Sequence, residues 1–282
     1  MIRVAYLGPK GTNSHEALLG AAAAAGLACE PVSMTTIHEC VMAVQEGEAE
    51  RAFVPIENAL EGSVNATLDA LAVETDAVAI VGEHVHPIHT CLVAKEQTAL
   101  DAVALVVSHP QSIGQCAHFL RTRLAHAAVV AASSTAEAVR QVAQTGGASA
   151  ALGSRTAAAL YGCEVLCADV DDAAGNETRF VWLARREDAV APDGRRRFKT
   201  AVVFWGAGDE APGWLARCLT ELADRGVNLT RIESRPRKVG LGHYMFFADL
   251  EGGASHGPVA EALEALRGHV EHLRVLGSFP AA

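Results

Sequence analysis

Short runs of β-branched and aliphatic residues alternate with stretches of helical period through residues 1–185. That alternation predicts a parallel α/β sheet covered by helices. The period-two runs predict strands at 2–7, 51–55, 77–83, 104–108, 127–131, 148–152 and 179–183. Helices are predicted to start near Ser14, Thr36, Ser63, Ser112, Thr135 and Ser154. Ser, Thr or Gly stands just ahead of the apolar period at several of these starts, where a side-chain oxygen accepts an otherwise orphaned N–H. Between 186 and 198 the pattern turns polar, with Pro192, Asp193, Gly194 and then Arg195, Arg196 and Arg197, which reads as a solvated linker. Beyond it the pattern predicts a strand at 199–205, a helix at 214–225, strands at 228–234 and 243–251, a helix at 259–267 and a strand at 269–277. This βαββαβ order is that of a ferredoxin-like α+β unit.

Composition narrows the possible partners. The chain has 282 residues, 50% of them hydrophobic and 20% charged, enough to bury more than one core. A net charge of -10 argues against nucleic-acid binding, which relies on clustered Lys and Arg. The alanine run 21–25 is too short to cross a bilayer, and residues 1–7 alternate like a strand rather than a signal peptide, so a cytoplasmic protein is expected. The 7 cysteines lack the paired spacing of a disulfide framework or a zinc site and read as free thiols. His84, His86 and His89 tempt a metal reading, but the sequence places no carboxylate with them, and no cofactor is expected.

Candidate chemistry lies where strands end in polar loops that open directly into helices. These loops run through Gly8 to Ser14, Pro55 to Asn58 and on to Ser63, Ser108 to Ser112, and Gly153 to Ser154. In open α/β folds such loops gather at the carboxyl ends of strands, where helix N-termini offer N–H groups to anions, so a small acidic ligand is implied. The first loop lacks the Gly-Lys-Ser/Thr spacing of a nucleotide-binding P-loop. Asn176-Glu177-Thr178-Arg179-Phe180 sets an amide, a hydroxyl and a guanidinium at the mouth of a strand, after an acidic loop at 169–175 that reads as flexible.

Tyr6-Leu7-Gly8-Pro9 to Ser14, Val54-Pro55-Ile56-Glu57-Asn58, Ser108-His109-Pro110-Gln111 to Gln115-Cys116 and Asn176 to Phe180 resemble, in order and separation, the motif series of prephenate dehydratases. The tail resembles the ACT domain that follows in that family, through Pro212-Gly213, Gly226 to Thr230 and Ile232-Glu233-Ser234-Arg235-Pro236. The resemblance implies a catalytic domain of periplasmic-binding-protein type at 1–185. Its lobes would be roughly 1–83 plus 165–185, and 84–164, with the active site in the cleft between them. A linker at 186–198 and an ACT domain at 199–282 would follow.

The reaction so implied removes CO2 and the ring hydroxyl of prephenate to give phenylpyruvate, driven by aromatisation. The enzyme must supply a hydrogen bond or proton to the departing hydroxyl and must orient two carboxylates. Within the resemblance, Thr178 is the donor, Glu57 either the ultimate acid or a loop cap, and Arg179 either a clamp on the pyruvyl carboxylate or a structural ion pair. Asn58, Ser112 and Gln115, joined by Ser14, Ser63, Asn176 and Phe180, are the expected substrate-binding residues.

An ACT domain of this family implies L-phenylalanine as effector, held by Pro212, Gly213, Asn228, Leu229, Glu233, Ser234, Arg235 and Pro236 where two copies meet, hence a homodimer or homotetramer. Two residues depart from the family pattern: Asn13 stands where Phe is frequent, and Trp214 follows Gly213 where a small residue is usual and is expected to narrow the effector pocket. An arogenate dehydratase, a prephenate decarboxylase that keeps the hydroxyl, and a noncatalytic amino-acid sensor stay open as alternatives.

Overall fold

The computed structural model describes residues 1–189, 197–206, 208–255 and 257–282. The first lobe contains β1 (Ile2–Leu7), α1 (Asn13–Ala24), β2 (Cys29–Met34), α2 (Ile37–Gln45), β3 (Arg51–Asn58), the two-residue β4 (Gly62–Ser63), α3 (Asn65–Asp69) and β5 (Val78–Pro87). The second contains β6 (Cys91–Ala94), β7 (Leu105–Ser108), α4 (Pro110–Gln115), α5 (Ala117–Arg123), β8 (Ala128–Ala131), α6 (Thr135–Thr145), β9 (Ser149–Gly153), α7 (Arg155–Tyr161) and β10 (Glu164–Cys167). The chain then returns to the first lobe as β11 (Glu177–Arg185), which lies between β3 and β5. Two α/β lobes crossed twice by the chain form the expected periplasmic-binding-protein architecture.

The lobe sheets are mixed rather than parallel. Strands β1, β2 and β3 run parallel, but β11 is antiparallel to both β3 and β5. The double crossing causes this, since the chain leaves along β5 and comes back alongside it. The lobe boundaries differ accordingly from the expected ones, because β5 continues to Pro87 and β10 pairs with β6 in the second sheet. Strands β2, β6 and β10 escape a period-two reading. Edge strand β2 carries Pro31, which an edge tolerates, while β6 is a short run buried at every position. The acidic loop at 169–175 is pinned at two of its three aspartates by backbone N–H groups. Asp171 accepts from the Thr90 N–H at 2.7 Å, and Asp172 accepts from the first turn of α5 at His118 and Phe119.

The third unit is β12 (Phe198–Trp205), α8 (Trp214–Ala223), β13 (Leu229–Pro236), β14 (Tyr244–Glu251), α9 (Gly257–Arg267) and β15 (His272–Pro280). Its antiparallel sheet has the order β13-β14-β12-β15, the expected ferredoxin-like arrangement. Val202 and Phe204 face α8 and α9, whereas Ala201 and Val203 face the first lobe. On that second face Met245, Phe247, Leu276 and Phe279 share one core with Leu71, Val78 and Ile80. Where β15 crosses β5, Gly277 permits the approach, since a Cβ there would collide with the Ile80 carbonyl. The third unit is therefore seated on the first lobe and not merely tethered to it. Most of the expected linker, 190–196, lies outside the described residues, including Pro192, Asp193, Gly194, Arg195 and Arg196.

Candidate active site

A cavity of about 350 Å³ lies between the two lobes, within the size range of small-molecule sites. It collects the polar starts of three helices. Asn13 and Ser14 come from α1, Gln111 and Ser112 from α4, and Ser134 and Thr135 from the start of α6. Each helix start is fixed by a local cap: Thr12 accepts from His15, His109 from Gln111, and Ser134 from Glu137, through backbone N–H groups. The lining side chains are hydroxyls and amides, with His109, Leu7 and Ile88; none of these described residues is Lys or Arg. Two lining serines, Ser14 and Ser112, are more than nine-tenths buried.

Thr178 closes one end of the cavity with Asn58 and Asn176. The Asn58 amide nitrogen donates to the Thr178 hydroxyl oxygen at 2.9 Å and to the Asn176 side-chain oxygen at 2.8 Å. The Asn58 oxygen in turn accepts from the backbone N–H groups of Leu60 and Glu61, which sets the amide's orientation. With its oxygen serving as an acceptor from Asn58, the Thr178 hydroxyl keeps its proton for an acceptor in the cavity. From the opposite lobe Gln115 accepts from Asn176 at 3.5 Å and donates to Glu61 at 3.2 Å, bridging the cleft.

Of the residues the sequence nominated, Thr178, Asn58, Asn176, Ser14, Ser112 and Gln115 meet here. Arg179, Glu57, Ser63 and Phe180 do not. Successive strand side chains alternate, so Arg179 leaves β11 on the face opposite Thr178. It is 9% exposed and is held by Glu57 at 3.1 Å, Glu83 at 3.2 Å and Asp249 of β14 at 2.5 Å. Burial alone would lower its pKa, but Asp249, Glu57 and Glu83 together raise it, so Arg179 stays charged. This excludes the clamp on a substrate carboxylate. Glu57 has a 39% exposed side chain paired with Arg179, which is no setting for a buried acid facing the substrate. Ser63 donates to Glu233 at 2.7 Å and accepts from Arg231, also at the ACT boundary. Phe180 is 1% exposed and stacks on Phe53 at 4.9 Å inside the first lobe.

The nominated effector residues are divided in the same way. Glu233 and Arg235 face the first lobe, Arg235 gripping Asp69 through two hydrogen bonds of 3.2 and 3.0 Å. Ser234 and Pro236 alternate outward and are exposed, as are Pro212 and Gly213 before α8. Asn228 accepts from the Glu251 N–H, and Leu229 begins β13. Trp214 does not narrow a surface pocket: it is buried against Phe204 and Phe246, and its indole N–H donates to the His269 carbonyl at 2.7 Å. Asn13 does line the cavity.

The cavity residues absent from the sequence nomination include Thr35, Ile88, and Ser133 and Ser134 with Thr135. Their signal was present: Ser133 and Ser134 follow β8 and open α6, the same strand-loop-helix turn that marked the other loops. Of the three histidines read for metal, His86 faces Glu16 at 3.8 Å and His89 faces Asp169 at 3.1 Å, while His84 lies near Phe53.

A family model described as prephenate dehydratase matches residues 4–188, and one described as ACT domain matches residues 201–268. A prephenate dehydratase of Amycolatopsis methanolica is 40% identical over 282 residues, covering 100% of this chain and 90% of the relative. The crystal structure of prephenate dehydratase from Arthrobacter aurescens in complex with L-Phe superposes with a TM-score of 0.87 at 35% identity, covering 99% of this chain and 90% of that one. GqqA, described as a novel type of quorum quenching acylases, superposes with a TM-score of 0.86 at 31% identity over 99% of this chain and 98% of its own. With both domains matched in order and relatives aligned along the whole length, the chain belongs to the prephenate dehydratase family and carries that family's ACT domain.

Proposed function

We propose that this chain converts prephenate to phenylpyruvate, CO2 and water in the interlobe cavity, with Thr178 as hydrogen-bond donor to the departing ring hydroxyl. The observation that carries the reading is the Asn58–Thr178–Asn176 cluster, which orients the hydroxyl proton of Thr178 into a cavity lined by neutral groups. Electrons of the bond between ring and carboxylate flow into the ring as CO2 leaves, the ring expels the hydroxyl at the opposite carbon, and one proton from solvent completes the water. A donor aimed at that oxygen stabilises charge as it develops. A cation locked onto the departing carboxylate would instead favour the ground state, and here the helix starts with Ser14, Ser112 and Ser134 take that place.

The ACT unit is the sensor of this reading, with L-phenylalanine as effector, and the enzyme works as a homodimer or homotetramer in the cytoplasm. The Arthrobacter relative, described as a complex with L-Phe, supports the choice of effector.

Incubation of the full chain with prephenate and, separately, with arogenate tests the substrate. Phenylpyruvate from prephenate is the expected product, and phenylalanine from arogenate alone overturns the reading. Thr178→Ala is expected to lower kcat by about 10²-fold or more, within the usual range for loss of a transition-state donor. L-phenylalanine is expected to raise the melting temperature of the full chain and to lower its turnover.

A further inference from the structure

The Thr178 hydroxyl and the Arg179 guanidinium leave adjacent residues of β11 on opposite faces, one into the cavity and one into the boundary with the ACT sheet. On both faces the same two strands are tied in register. Thr178 pairs with Asn58 and Arg179 with Glu57, with side-chain bonds of 2.9 and 3.1 Å respectively. Just beyond this pair the β11–β3 ladder slips, Phe180 lying opposite Pro55. The irregularity is confined to that side, because β11 keeps unbroken register with β5 from Glu177 to Trp182, so it loosens only one of the strand's two backbone ladders. On the loosened side the guanidinium adds an anchor by charge, and its short 2.5 Å contact is to Asp249, which is 2% exposed.

We propose that Asp249, a residue of the ACT sheet, is a positioning residue for the dehydratase reaction: through Arg179 it fixes the end of β11 and thereby the Thr178 hydroxyl. The inference rests on the assignment of Thr178 as donor. Charges in the cluster are matched, since Glu57, Glu83 and Asp249 face Arg179, with Lys199 at 2.8 Å from Glu83 and Arg231 at 3.9 Å from Glu57. Removing the Asp249 charge leaves a buried cation short of one partner, and the fork must turn or shift to compensate. Asp249 also lies opposite Arg231 in the β13–β14 ladder, and its carbonyl accepts from Thr230 at 3.2 Å. A shift of the strand that follows Asn228 and Leu229 is therefore felt two contacts away from the hydroxyl that meets the substrate.

The test measures kcat and KM for prephenate with the full chain as wild type, D249N, R179Q, D249N/R179Q and T178A. The expected result for D249N is a kcat lowered about tenfold, as displacement of a reacting group by a fraction of an ångström brings, with KM within about twofold of wild type. The double variant is expected to be no slower than R179Q alone, because both changes act along one path. A D249N protein that melts lower but turns over at the wild-type rate, or a double variant in which the losses multiply, overturns the proposal. If D249N does not fold, D249E, which keeps the charge and displaces the carboxylate, decides: a lowered kcat with KM retained supports it, and wild-type kcat overturns it. T178A separates this outcome from the underlying assignment, since wild-type turnover in that variant means that Thr178 is not the donor.

Discussion

Asn58 sits where one side chain governs two others. Its amide nitrogen bridges Thr178 and Asn176, and its oxygen is held by two backbone N–H groups. Asn58→Asp keeps the shape but puts an acceptor where a donor is needed, and it adds negative charge beside an anionic substrate. A fall in kcat/KM of about 10²-fold or more is expected, as for loss of an oriented active-site donor, with little change in the melting curve. Steady-state kinetics against differential scanning calorimetry checks both parts. Phe180 predicts the reverse split. Because it is buried against Phe53, Phe180→Ala is expected to cost about 3–5 kcal/mol of stability, while the folded fraction keeps the wild-type KM. Urea unfolding and kinetics on the same preparation separate the two.

At the scale of elements, β11 and β13 explain why motif membership is a poor guide to contact. The Thr178–Arg179–Phe180 motif reads as one site in the sequence, yet its residues serve the cavity, the ACT boundary and the lobe core in turn. Alternation along a strand separates neighbours that sequence places together. The same holds for Glu233, Ser234, Arg235 and Pro236, of which Glu233 and Arg235 bind the first lobe. That boundary is expected to weaken in acid. Burial would raise the Asp69 carboxyl, but hydrogen bonds and charge from Arg235 and Lys238 lower it on balance, and Lys199 does the same for Glu83. A carboxyl lowered in the folded state adds stability above its unfolded value, near pH 4, and that stability is lost as pH falls through the lowered folded value. The expected result is a melting temperature that drops steeply below about pH 4. D69N is expected to flatten that acid limb while lowering the plateau at neutral pH, which scanning calorimetry across pH resolves.

For the whole molecule, the shared core makes the ACT unit part of the catalytic scaffold. Met245, Phe247, Leu276 and Phe279 cover Leu71, Val78 and Ile80, and Arg274 reaches the carbonyls of Ala72 and Thr75. Ending the chain at residue 189 would expose that apolar face to water, where patches of this kind drive association. The truncated protein is expected to bind a hydrophobic dye and to lose cooperative melting, even though it keeps every residue that lines the cavity. Retention of a sharp transition in that fragment would mean that the two parts fold independently.

The sequence by itself determined what is local. Strand-loop-helix turns and the βαββαβ order of the tail are written in short-range pattern, with Thr36 and Ser154 capping helices where expected, whereas Ser63 lies in β4 and α4 starts at Pro110 with His109 as its cap. Those same turns contributed Ser14, Asn58 and Ser112 to one cavity, because the carboxyl ends of strands and the helix starts after them converge in this architecture, whereas Gln115 ends α4 and Asn176 and Thr178 stand at the start of β11. Only the tertiary structure decided which face of each strand meets the cleft. Strand periodicity shows that Thr178 and Arg179 point apart but carries no sign for the direction. The sign comes from the second lobe packing over one face and the ACT sheet over the other. Asp249, 70 positions from Arg179, has no local signature at all. It becomes a partner of β11 because β12 and β14 present their apolar face to the first lobe and bring that one buried carboxylate with them.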